Sequence, residues 1–192
     1  MLIGITGKSG SGKTHIAKML ESMNNNIVSI NIDEIGHLAL QNKNIQIELV
    51  EVFGTSILTA NGIDRKKLGK FVFSSKEEMK KLEDITWIHM KNNIDEFIEK
   101  NKGKIIILEW ILLPSYHYFK ICDLKILVDV PYKIRLQRAI KRDKINKEKF
   151  DLREQASIDY SSNNFDYIID NISLKDTERM VKEIYDKSII SR

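Results

Sequence analysis

The chain has 192 residues, 42% hydrophobic and 30% charged, a balance expected of one soluble globular domain with a single good core. Its 31 basic and 27 acidic residues leave a net charge of +4, which suits an anionic small molecule and falls far short of a polybasic nucleic-acid surface. A lone cysteine, Cys122, excludes an internal disulfide and fits a reducing, cytoplasmic setting, and no apolar stretch reaches the roughly 18 to 20 residues that cross a bilayer.

The first apolar run, Met1 to Ile5, reads as a buried strand, and Gly7-Lys8-Ser9-Gly10-Ser11-Gly12-Lys13-Thr14 behind it completes the G-x-x-x-x-G-K-[ST] pattern of a phosphate loop. A signal peptide would need a basic region and a cleavable apolar segment at this position. Gly7, Gly10 and Gly12 let the backbone turn tightly and, with Ser9 and Ser11, aim N–H groups at a polyphosphate. A helix starting near Gly12 adds its positive end. Lys13 reaches the β and γ phosphates of ATP, and the Thr14 hydroxyl is placed to ligate Mg2+. An ordinary glycine-rich turn that binds nothing is the plainer reading. The helical spacing of Ile16, Met19, Leu20 and Met23 argues against it, because strand, loop and helix then agree.

The second strand, Ile27 to Ile32, delivers Asp33 to the same rim as the loop. Asp33 is the candidate to orient and deprotonate an acceptor hydroxyl, or a simple N-cap for the following helix. From about 39 to 101 no convincing strand is read, which predicts a helical insertion long enough to bind an acceptor. Within it Met79, Leu82, Ile85, Ile88, Ile94, Phe97 and Ile98 mark one long helix, or two joined, over Lys76 to Lys100.

The third strand, Lys104 to Leu108, is closed by Glu109, a candidate to reach Mg2+ through water or to hold the acceptor, or else a salt-bridged rim residue. A fourth runs from Leu124 to Val130. Next, the helix Lys133 to Lys141 begins a basic segment in which Arg138 and Arg142 stand four apart, on one face, where they would clamp a moving γ phosphate or simply coat a basic surface. The charged stretch 141–161 predicts a small helical lid over the phosphates, and Tyr167 to Ile169 and Asp176 to Ser188 supply a last strand and helix.

Strand and helix alternating in this way predict an α/β three-layer sandwich of the P-loop NTPase kind. A parallel sheet is flanked by helices and the ligand sits at the carboxyl ends of the strands. The core would comprise about 1–38 and 102–192 of a single domain. His15, His37, His89 and His117 match no zinc spacing and read as structural, and no Gly-x-Ser-x-Gly elbow is present.

Several separated segments together resemble the dephospho-coenzyme A kinase family. Beyond the phosphate loop these are Asn31-Ile32-Asp33, Ile35-Gly36-His37 and Phe53-Gly54-Thr55. The stretch Asn61-Gly62-Ile63-Asp64-Arg65-Lys66-Lys67-Leu68-Gly69-Lys70-Phe71-Val72-Phe73 is the specific one. Leu82-Glu83-Asp84-Ile85, Gln137-Arg138, Arg142-Asp143, Gln155 and Ile168-Ile169-Asp170-Asn171 continue it. The resemblance implies transfer of the ATP γ phosphate to the ribose 3'-hydroxyl of dephospho-coenzyme A, with Mg2+, Asp33 as base, Arg65 in the acceptor region, and Arg138 and Arg142 in or beside the lid. The chain departs from the family pattern at Asn31, which replaces an aspartate, at Trp87-Ile88, which replaces His-Pro, at Ser115 and at Asp151. The residues alone leave two other readings: a kinase for a nucleoside, nucleotide or other small alcohol, and an ATP-binding module without catalysis.

Overall fold

The computed structural model describes residues 1–155, 157–161 and 164–190; Ala156, within the expected lid, lies outside the described residues. In chain order the elements are β1 (Leu2–Thr6), α1 (Lys13–Met23), β2 (Ile27–Asn31), α2 (Ile32–Ala39), α3 (Lys43–Phe53), β3 (Leu58–Thr59), β4 (Gly62–Ile63) and α4 (Arg65–Val72). They continue with α5 (Lys76–Lys100), β5 (Ile105–Glu109), α6 (His117–Ile121), β6 (Leu124–Asp129), α7 (Tyr132–Asp143), α8 (Lys147–Gln155), β7 (Tyr167–Asp170) and α9 (Leu174–Ile184). The chain forms two compact units. One joins Met1–Asn31 to Lys100–Arg192, and the other is Ile32–Glu99.

The first unit is built on a parallel five-stranded sheet in the order β2-β5-β1-β6-β7. Its strands read as near-continuous apolar runs because the sheet is covered on both faces. On one face Ile3 and Ile5 of β1 meet Ile16, Ala17 and Leu20 of α1 and Val181 and Ile184 of α9. Burial of each such side chain contributes roughly 1.5–3 kcal/mol. On the other face β1 presents Gly4, so close to Leu113 and Cys122 that an added Cβ would lie 2.8 Å from Leu113 Cδ2 and 2.9 Å from Cys122 Sγ. Cys122 is buried, and burial pushes its thiol up to about 12. It therefore stays protonated and inert.

Trp110, Tyr118 and Phe119, after β5, belong to the core. Trp110 and Tyr118 are buried, Trp110 stacks on Tyr116 at 4.2 Å, and the His117 ring lies 4.0 Å from that of Tyr118. His117 therefore belongs to an aromatic cluster, as its neighbours in sequence suggest. After Ile184 the last helix widens into a π-helical stretch, Tyr185–Ile190, which places Ile189 in the core.

The second unit carries its own core of Ala39, Leu40, Ile45, Leu49, Phe53, Ile57, Leu68 and Val72. It starts at Ile32, earlier than the boundary near 39 that composition suggests, because the turn from strand to helix comes directly after Asn31. Asn42 caps α3, its side chain accepting from Asn44 N at 2.9 Å, and Asp64 caps α4 through Lys66 N and Lys67 N. Lys76–Lys100 is one continuous helix. The absence of strand expected over 39–101 is corrected by the small antiparallel hairpin of β3 and β4. Strands of two residues are too short for alternation to register in a sequence.

Filling the space beneath Gly4 tests the packing of the sheet. Gly4→Val should cost about 1–3 kcal/mol through overpacking against Leu113 and Cys122, lowering the thermal midpoint by about 2–4 °C per kcal/mol. An unchanged denaturation midpoint would show that this face yields more readily than the contacts imply.

Candidate active site

The phosphate loop joins β1 to α1 and is tightly enclosed. Gly10 and Gly12 take φ of +81° and +96°, values that side chains rarely adopt. A Cβ on Gly10 would lie 2.6 Å from the Arg135 carbonyl, one on Gly12 2.1 Å from Asn171 Nδ2, and one on Gly7 2.3 Å from the Val128 carbonyl. The expected glycines are thus set by close approach of the backbone to β6, α7 and the end of β7. Asn171 Nδ2 donates to the Ser11 carbonyl at 2.8 Å, and Thr177 Oγ1 donates to Asn171 Oδ1 at 3.2 Å, so α9 braces the loop from behind.

Ser11 N donates to the Lys8 carbonyl at 3.1 Å, and the Ser11 hydroxyl is buried with no hydrogen-bond partner. Ser11 therefore shapes the loop through its backbone. Lys13 opens α1 and is 8% exposed, with Nζ donating to the Gly7 carbonyl at 3.0 Å. Its ammonium is curled over the loop that it serves. The Thr14 hydroxyl donates to Glu109 Oε1 at 2.6 Å. Glu109 is 4% exposed at the end of β5. Strand order explains the meeting, since β5 lies beside β1 and ends level with the start of the loop.

Arg138 of α7 also reaches the loop: its Nη2 donates to the Asn171 carbonyl at 2.8 Å and its Nη1 to the Ser11 carbonyl at 3.4 Å. Arg142 does not join it. It is exposed and binds its neighbour Asp143 through Nε at 2.7 Å and Nη2 at 3.0 Å. Four residues along a helix put two side chains on one face, but the exposed end of α7 leaves Arg142 paired locally. That contact, and Arg153 Nη1 at 2.6 Å, hold the Asp143 carboxyl at about 2.

A second set of charges was not anticipated from the sequence. Arg135, buried beneath α8, donates through Nη1 and Nη2 to the two carboxylate oxygens of Glu154 at 2.6 and 2.9 Å, and through Nε to the Val130 carbonyl at 2.8 Å. Lys8 of the phosphate loop donates to Glu154 Oε1 at 2.8 Å. Phe150, fully buried, lies under the Arg135 guanidinium and edge-on to Tyr132. Residues 147–155 of the expected lid are therefore fastened to α7 and to the loop. Asp151 accepts from Tyr132 Oη and from Lys147 Nζ. Arg135 lies one helical turn before Arg138, a spacing that carried the signal; the pairing of Glu154 with Lys8 spans 146 residues and left none.

Asp33 and Arg65 lie in the second unit. Asp33 stands in the first turn of α2 beside Glu34, two places after the last residue of β2. The positive end of a helix favours a carboxylate there. Arg65 opens α4, and its Nη2 lies 2.7 Å from His37 Nε2. Arg65, His37 and Glu34 border a cleft of about 590 Å³, and Asp33 is not part of its lining.

Comparison with known proteins bears on the family of the chain. Residues 1–176 match the family model of dephospho-CoA kinase. The chain is similar to a dephospho-CoA kinase of Fusobacterium nucleatum, with 36% identity over 176 residues covering 90% of each chain. It is also similar to one of Aquifex aeolicus, with 35% identity over 96% of each. Among solved structures, TT1252 from Thermus thermophilus superposes with a TM-score of 0.79 at 26% identity, covering 98% of this chain and 97% of the other.

Burial works against the Glu154 carboxylate, but the bonds from Arg135 and Lys8 outweigh it and hold its pKa below the ordinary glutamate value. A carboxyl that ionises more readily when folded stabilises fully above the unfolded range near ~4.3 and loses that effect as acid protonates the folded group. Glu154→Gln should therefore lower the thermal midpoint near pH ~7, and the gap to the parent protein should narrow from pH ~5 to pH ~3. A gap of the same size throughout would remove the carboxylate charge as the fastening.

Proposed function

The chain belongs to the dephospho-CoA kinase family, and on that premise we propose that it transfers the γ phosphate of ATP to the ribose 3'-hydroxyl of dephospho-coenzyme A, giving coenzyme A and ADP, the last step of coenzyme A biosynthesis. The observation that carries this reading is the complete phosphate loop with Lys13 and Thr14 at its mouth and Glu109 beside Thr14, in a chain matched over residues 1–176.

Phosphoryl transfer asks a protein mainly for positioning and charge neutralisation. Backbone N–H groups of the loop other than that of Ser11, which is bonded to the Lys8 carbonyl, cradle the triphosphate, and Lys13 leaves the Gly7 carbonyl to meet the β and γ oxygens. Arg138, already bonded to the loop's Ser11 carbonyl, faces the charge that develops on the moving phosphoryl group, with Arg142 as a second cation once released from Asp143. Asp33 accepts the proton of the 3'-hydroxyl as that oxygen bonds to the γ phosphorus and the bond to the ADP oxygen breaks. Arg65 holds the acceptor, with Glu109 available to orient it.

Mg2+ fits the donors present. Thr14 Oγ1 and Glu109 Oε1, 2.6 Å apart, are hard oxygens of the kind this ion takes, one or two from protein and the rest from phosphate and water. Thr14 would hold the ion directly and Glu109 through water, and what it supplies when bound is neutralisation of phosphate charge. The organisation proposed is a nucleotide core with a helical acceptor unit and a lid formed by the segment around α8. No helix among the described residues is long and apolar enough to cross a membrane, and a cytoplasmic site of action accords with the soluble substrates.

Asp33→Asn should lower kcat by about 10²–10⁴-fold while leaving ATP affinity near that of the parent protein, measured by coupled ADP release and calorimetry. Retained turnover would remove Asp33 from the role of base. In the same assay dephospho-coenzyme A should far exceed nucleosides and other alcohols as acceptor, and equal turnover with another alcohol would overturn the assignment.

A further inference from the structure

The geometry points to His37 as a positioning residue for Arg65, one that makes acceptor binding sensitive to pH. This inference rests on the assignment of Arg65 to the acceptor. A guanidinium has only donors to offer, so the 2.7 Å contact between Arg65 Nη2 and His37 Nε2 requires a lone pair on Nε2. His37 is therefore neutral, with its proton on Nδ1. In that form the imidazole fixes one edge of the guanidinium and leaves its remaining N–H groups to an anion, such as the diphosphate of the acceptor.

Both residues border the cleft of about 590 Å³ whose wall also includes Glu34, Gln41, Gln46 and Asn61. The cleft lies wholly within the second unit. Among the residues that line the cleft, the charged ones beside His37 are Glu34 on its own helix and Arg65 from α4, with the uncharged Gln46 and Asn61 from α3 and the hairpin.

The direction of the pH effect follows from these neighbours. Protonation turns Nε2 into a donor and sets an imidazolium against a guanidinium, so the contact is lost. Glu34, three residues earlier on α2, is spaced to receive the new cation. Arg65 then loses its support. Histidine is the side chain whose ordinary charge change falls between pH 5 and 8, a range in which a diphosphate diester keeps its charge.

Calorimetric titration of the full chain with dephospho-coenzyme A, at pH ~8 and pH ~5.5, tests this. The parent protein should bind measurably more weakly at the lower pH, where protonation of the imidazole removes the acceptor on Nε2. His37→Gln keeps an acceptor oxygen in place of Nε2 and should retain the affinity found at pH ~8 while losing the pH response. His37→Ala should bind more weakly at both. His37 is exposed, so neither substitution empties a core, and ATP titrations with each variant should match the parent. A pH response in His37→Gln equal to that of the parent, or full affinity in His37→Ala, would overturn the role of His37 and leave the acceptor assignment standing. Failure of the parent protein to bind dephospho-coenzyme A at pH ~8 would remove both.

Discussion

The close approach of the phosphate loop's main chain to the elements around it is the constraint on which the nucleotide unit depends. Three glycines lie where any side chain would strike Val128, Arg135 or Asn171, so β6, α7 and the end of β7 fix the loop from outside. A loop held in this way has little freedom left to lose when a polyphosphate arrives, which is the physical meaning of preorganisation. Asn171 makes the brace polar as well as steric, since its amide bonds the loop and takes a bond from Thr177 of α9.

Cations are plentiful around this loop, and the structure keeps them in order with carboxylates. Glu154 takes both Arg135 and Lys8, and Asp143 takes Arg142 and Arg153. The first pairing is largely shielded from water and its partner Arg135 is buried, so removing one member would leave a charge uncompensated. The second is more exposed, and solvent screens it. The two pairings therefore differ in kind: one fastens α8 to the loop, while the other leaves Arg142 within easy release.

Local pattern was enough wherever an element is long or its chemistry is contiguous. The parallel strands are runs of isoleucine, leucine and valine, α5 carries its periodicity over 25 residues, and the phosphate loop is an unbroken string of eight. Where the signal was short, it failed. The hairpin of β3 and β4 offers two residues per strand, and the start of the second unit is marked by a turn with no glycine or proline to announce it.

What the amino-acid order determined by itself is the nucleotide-binding character of the chain, its layered α/β class and its family, because each of these resides in short contiguous segments or in periodicities set by backbone geometry. What only the tertiary structure decided is which polar side chains meet. Thr14 finds Glu109, Lys8 finds Glu154 and Arg65 finds His37 across 95, 146 and 28 residues respectively. A side chain's partner depends on where the sheet order and helix packing carry it, and one-dimensional spacing holds no record of that placement.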